Sequence, residues 1–161
     1  MAAKPKEKDP FPLHGTCGLY CRACEIYQAR QREDEDKIQS LSDEMGLAEE
    51  AIRCQGCGQL TARCFGRDCS IKACAEERNL RYCSECQEFP CRDLQQFSLG
   101  SPHHTDCIKA LMYIKEQGPE EYEERIQKRW TCEKCGGSIT WYARQCPTCH
   151  GMVLKLRRTS A

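Results

Sequence analysis

The chain has 161 residues, and its 24 basic side chains balance its 24 acidic ones, which excludes disorder of the kind driven by net charge. Leu, Ile, Val and Phe together number only 24, a share of about 15% that is too thin for an ordinary apolar core. Sixteen cysteines must therefore supply, through metal or cross-links, the stability that burial cannot.

The opening MAAKPKEKDP is charged and Pro-containing, without the apolar stretch of a secretory signal. Later apolar runs such as ALMYI fall far short of the roughly 20 residues needed to span a membrane. These features predict a cytoplasmic protein with no membrane segment, whose reduced thiols bind metal rather than pair as disulfides.

In chain order, residues 1–12 read as a flexible tail. EIYQARQREDEDKIQSLSDEM (25–45) predicts one helix, with Ile26, Ala29, Ile38 and Leu41 on its sparse apolar side and Gly46 as its stop. Cysteine-dense short pieces follow, with helical turns expected at IKACAEERN and CRDLQQF. Thr105 and Asp106 can cap a helix through IKALMYIKEQ, ended by Gly118. Pro119 then suits the first turn of PEEYEERIQKRW, whose acids come early and bases late, as the helix dipole prefers. The predicted organisation is a cysteine-rich metal-binding domain over 13–100, a helical connector over 101–129, and a zinc ribbon with a basic tail over 130–161.

WTCEKCGGSITWYARQCPTCHG contains two CxxC turns, Cys132 with Cys135 and Cys146 with Cys149, separated by ten residues. Each turn can present two sulfurs to one ion, with Gly136 and Gly137 permitting a tight backbone, so the pattern predicts a closed tetrahedral four-cysteine zinc site. SITWYA between the turns alternates enough for a short strand, as in a zinc ribbon. Rubredoxin-like iron accepts the same four thiolates and stays open. CPTCH also matches covalent haem attachment with His150 as axial ligand, but haem leaves Cys132 and Cys135 unexplained. From Arg125 onward there are eight bases (Arg125, Lys128, Arg129, Lys134, Arg144, Lys155, Arg157, Arg158) against one acid, Glu133. With Trp130, Trp141 and Tyr142 nearby for stacking, this is the candidate surface for nucleic acid or an acidic partner.

Twelve cysteines precede this segment. CGLYCRAC sets Cys17, Cys21 and Cys24 at CxxxCxxC spacing. If helical, the three thiols share one face and await a fourth ligand, from Cys91 or from the CQGC pair Cys54 and Cys57. Such uneven spacings suit an iron–sulfur cluster, while the CxxC turns suit zinc, and both readings stay open. Radical chemistry with S-adenosylmethionine needs a large β/α barrel that this chain is too short to build. No glycine-rich phosphate loop, HExxH or activated nucleophile is visible. His14, beside CGLYC, is a reserve ligand, and His103 and His104 read as loop or surface residues.

CGLYCRACEIY, CQGC, CSIKACAEERNLRYCSECQEFPC and KRWTCEKCGGSITWY together resemble the small cysteine-rich family catalogued as domain of unknown function 3795, over about residues 14–149. The resemblance implies metal binding without an assigned activity. It marks Cys17, Cys21, Cys24, Cys54, Cys57, Cys69, Cys74, Cys83, Cys86 and Cys91 as recurring thiols, and leaves Cys64 and Cys107 outside the pattern.

The combined expectation is a small metal-stapled, mostly α and irregular cysteine-rich domain plus a short β zinc ribbon. Its expected function is non-enzymatic: multiple Cys-ligated zinc and/or iron–sulfur sites, with an electron-transfer or accessory role through a protein partner. The alternative is a zinc-stabilised module that binds nucleic acid or regulates through the basic C-terminal segment.

Overall fold

The structure is a computed structural model and describes residues 13–59 and 65–153. The tail over 1–12, Cys64, and the basic residues Lys155, Arg157 and Arg158 lie outside the described residues. The fold is mostly helical with little strand: α1 (Glu25–Gln31), α2 (Glu35–Met45), α3 (Glu49–Ile52), α4 (Ser70–Glu77), α5 (Arg92–Leu99), α6 (Cys107–Gln117) and α7 (Pro119–Arg129), joined by short 3-10 turns.

The single helix expected over 25–45 is two helices. Glu33 adopts a left-handed backbone (φ 53°), and the Asp34 carboxylate accepts the Lys37 N–H at 3.0 Å to start α2 afresh. Glu35 and Asp36 in its first turn complement the dipole. The break lets α1 and α2 fold against each other around Ile26, Ala29, Ile38, Leu41 and Ile52, a satellite core that also takes in Cys54. Gly46 closes α2 with φ 63°, as a C-terminal glycine should.

The main core gathers Leu13, Tyr20, Tyr27, Leu94, Leu111 and Tyr122 with their neighbours. The two helices expected as a connector feed this core directly: Ala110, Leu111 and Ile114 from α6, and Tyr122 and Ile126 from α7. Asp106 precedes α6 but makes no capping hydrogen bond to it. It instead pairs with Arg129 of α7 at 3.0 Å.

The CGLYCRAC segment is not an α-helix. Gly18 has φ +86°, and a Cβ there would lie 2.8 Å from the Cys107 carbonyl oxygen. Tertiary contact with α6 therefore fixes a turn, closed by an isolated bridge between His14 and Tyr20, and only Cys21–Ala23 wind as a 3-10 turn. His14 is not a free ligand either. Its Nε2 meets the Tyr82 hydroxyl at 2.7 Å and its Nδ1 meets Glu123 at 3.1 Å, so both ring nitrogens are engaged.

Candidate metal centres

The C-terminal segment consists of two copies of one local turn. Cys132 N–H donates to the Gly137 carbonyl and Gly136 N–H to the Cys132 carbonyl, both at 2.8 Å. Fourteen residues on, Cys146 N–H donates to Gly151 at 2.8 Å and His150 N–H to Cys146 at 2.9 Å. Gly136 (φ 73°) and His150 (φ 57°) occupy the same left-handed corner of the two turns. His150 thus has a place in the turn geometry without reference to haem. Each turn ends in an isolated bridge, Thr131 with Ser138 and Gln145 with Met152. Among the described residues no longer ladder extends these bridges, so SITWYA contributes one bridging residue, Ser138, rather than a strand.

The two turns face each other closely. A Cβ on Gly137 would lie 2.6 Å from Thr148 Oγ1, and one on Gly151 would lie 2.9 Å from Lys134 Cδ. The Cys132, Cys135, Cys146 and Cys149 sulfurs all fall within 4.8 Å of one another. The two measured cross-turn separations are 3.8 Å for Cys132–Cys149 and 3.6 Å for Cys135–Cys146. A tetrahedron with zinc–sulfur bonds of about 2.3 Å has sulfurs about 3.8 Å apart. The donor set fits a single thiophilic ion.

Amide groups turned toward Cys132 and Cys146 favour the thiolate form that a metal needs, whereas at Cys135 the Gly137 amide is outweighed by burial and the neighbouring thiols, which push it up to about 12. The N–H groups of Cys135 and Lys134 hold Cys132 below the usual thiol range. Burial pushes Cys146 up, but the amides of Cys149 and Thr148 and the neighbouring thiols more than reverse this, bringing it to about 6. The turn amides and the neighbouring thiols, rather than any basic side chain, provide this polarisation.

The N-terminal thiols separate into two groups. Cys17, Cys21, Cys24, Cys54, Cys57 and Cys69 line one largely apolar cavity of about 480 Å³, shared with Lys72, His103 and Trp141. The Cys57 sulfur lies near that of Cys17, since a Cβ on Gly15 would be 3.4 Å from both, and it shares a hydrogen bond with Cys21. A hydrogen bond with Cys21 lowers Cys57 against the cost of burial, and Lys72 adds to the effect, leaving it at about 7. Hydrogen bonding to Cys107, then burial, pushes Cys17 up. The CQGC pair thus lies with CGLYCRAC, whereas Cys91 lies elsewhere.

Cys74, Cys83, Cys86 and Cys91 line a second, smaller pocket. Burial, then the fields of Cys17, Cys91, Cys74 and Cys86, push Cys83 up to about 12. Cys107 is 1% exposed and packs against the CGLYC turn. No disulfide joins the described cysteines.

The C-terminal centre docks on the helical core through aromatic groups. His103 stacks on Trp141 with centroids 4.2 Å apart, and its Nδ1 meets the Tyr142 hydroxyl at 2.6 Å. Trp141 N–H donates to the Ala23 carbonyl at 2.9 Å. No local pattern announces this seam, because both histidines read as surface residues. The basic surface is partly used within the fold: Arg129 pairs with Asp106, and Arg125 lies over the Tyr113 ring.

Among the described residues, no helix is long and apolar enough to cross a membrane. No curated protein and no solved structure matches the chain. The family described as Protein of unknown function (DUF3795) matches residues 13–96, which ends before the C-terminal four-cysteine centre. That match covers just over half of the chain, takes in both N-terminal thiol groups, and shows that the chain belongs to this family.

Proposed function

We propose that the chain is a non-enzymatic metalloprotein of the cytoplasm. Its C-terminal four-cysteine centre holds zinc as a structural staple in a ribbon-like element, and its N-terminal thiols hold zinc or an iron–sulfur cluster. The single observation that carries this reading is the convergence of Cys132, Cys135, Cys146 and Cys149 within 4.8 Å, at separations matching a tetrahedral thiolate shell. Four protein ligands leave no open position for substrate, so the centre stabilises and does not catalyse. The metal would replace the core that the composition lacks, because binding free energy becomes folding free energy when no site exists in the unfolded chain.

The six cysteines around the 480 Å³ cavity support a second metal centre by donor chemistry, since thiolates serve zinc and iron–sulfur clusters alike. A cluster there would make the protein an electron carrier or an accessory subunit that acts through a partner. Nucleic-acid binding through the basic C-terminal segment is the less supported reading, because Arg125 and Arg129 are engaged within the fold.

The test is to purify the full chain without oxygen and measure zinc, iron and acid-labile sulfide per chain. The visible spectrum and the far-UV circular dichroism are recorded before and after chelation. Bound zinc whose removal loosens the fold is the expected result. A metal-free chain with the same fold would sink the reading.

A further inference from the structure

The four cysteines of the smaller pocket come from three separate elements. Cys74 lies on α4, and Cys83 and Cys86 close a CxxC turn in which Cys86 N–H donates to the Cys83 carbonyl at 3.1 Å. Cys91 stands at the N-cap of α5. Folding brings all four to the wall of one pocket of about 50 Å³, together with Arg78, Phe89 and Leu94.

Two features distinguish this group from the C-terminal centre. Among the described residues, only Cys132, Cys135, Cys146 and Cys149 gather as a group with their sulfurs within 4.8 Å of one another, so the pocket thiols are spaced more widely than the shell of a single ion. A water-sized sphere needs roughly 10–15 Å³ on a comparable measure, so the space between them admits a body of several atoms. A cation is also in place. Arg78 Nη1 donates to Cys86 Sγ at 3.4 Å and to Glu88 at 2.7 Å. Glu88 balances the guanidinium charge, so Arg78 would act on a cluster through its hydrogen bond to the Cys86 sulfur, which draws electron density from the ligand and fixes its orientation.

We propose that Cys74, Cys83, Cys86 and Cys91 ligate an iron–sulfur cluster, with Arg78 as the positioning residue on the Cys86 sulfur. The inference rests on the metalloprotein reading above, but it does not depend on zinc in the C-terminal centre or on the occupant of the six-thiol cavity. Arg78 is expected to hold the cluster's reduction potential higher than four thiolates alone would set it.

The experiment uses the full chain isolated without oxygen, as wild type, C83S/C86S, C132S/C135S and Arg78→Gln. Wild type is expected to contain iron and sulfide in equal numbers. C83S/C86S should lose iron and sulfide in equal numbers, those of one cluster, with a matching fall in visible absorption, and keep its zinc. C132S/C135S should lose one zinc per chain and keep the iron. Arg78→Gln retains every thiol, so it is informative even where the double variant fails to fold, and it should keep its iron while its midpoint potential falls.

Iron and sulfide unchanged in C83S/C86S would overturn the proposal, as would zinc alone lost from that variant. An unmoved potential in Arg78→Gln would overturn the role of Arg78. Wild type with zinc and no iron contradicts this inference alone, whereas wild type with neither metal contradicts the reading on which it rests.

Discussion

The C-terminal centre and the N-terminal thiol groups use the same side chain in opposite ways. At 132–149 two copies of a six-residue turn aim their own amides at their own sulfurs, and all four ligands come from one short stretch of sequence. In the N-terminal part the thiols come from helix N-caps, 3-10 turns and loops far apart in sequence, and a packed apolar core holds them around cavities. The first arrangement is local and should fail with its metal. The second is tertiary and should fail with its packing.

Metal removal should break this comparison most visibly. Structural zinc supplies about 10–16 kcal/mol in small zinc-finger peptides. Chelation is therefore expected to unfold residues 130–153 outright and to expose Trp141, which hydrogen exchange and tryptophan fluorescence would report.

Leu111→Ala attacks the other side. Leu111 is 0% exposed in the main core, so its truncation should cost about 2–5 kcal/mol in chemical denaturation. Zinc content should be unchanged.

Glycine substitutions sharpen the contrast further. Gly18→Ala meets both a left-handed φ of +86° and a carbonyl oxygen 2.8 Å from the new Cβ, whereas Gly136→Ala (φ 73°) meets nothing within 4 Å. The first should cost more than the roughly 1–2 kcal/mol expected for left-handed backbone alone, and the second no more than that. Thermal unfolding of the two variants side by side measures the difference.

The smallest expected effect is pH-dependent and lies at the seam between the regions. Burial, then the neighbouring His104, lowers His103 from its ordinary 6.5 to about 4. Between these values the unfolded chain binds a proton that the folded imidazole refuses. The stability of the docked state is therefore full above pH 6.5, falls as pH drops toward 4, and levels off below. His103→Gln should flatten that part of the profile relative to wild type, as read by denaturation at several pH values.

The legibility of the sequence follows the same division. Cys132, Cys135, Cys146 and Cys149 could be read as one site because their spacing alone builds the two turns. The repeat of CxxCGG as CxxCHG was the signal that His150 stands where Gly136 does. CGLYCRAC misleads as a helix because the reason for its turn, the Gly18 approach to Cys107, lies 89 residues away in sequence. His14 likewise looks like a spare ligand until Tyr82 and Glu123, 68 and 109 residues distant, are brought to its ring. The break at Glu33 was closer to hand, since Asp34 followed by acids and an apolar run is a helix start. The partition of ten N-terminal thiols into six and four follows from packing and could not be read from their order.

X-ray absorption at the zinc edge of the full chain reads the ligand shell of the C-terminal centre itself. A first shell of four sulfurs at about 2.3 Å, with no nitrogen or oxygen in it, is expected. The C132S/C135S variant should hold one zinc fewer per chain. Zinc bound through nitrogen or oxygen in the wild-type chain, or a zinc content per chain undiminished by the loss of Cys132 and Cys135, would contradict the four-cysteine zinc centre.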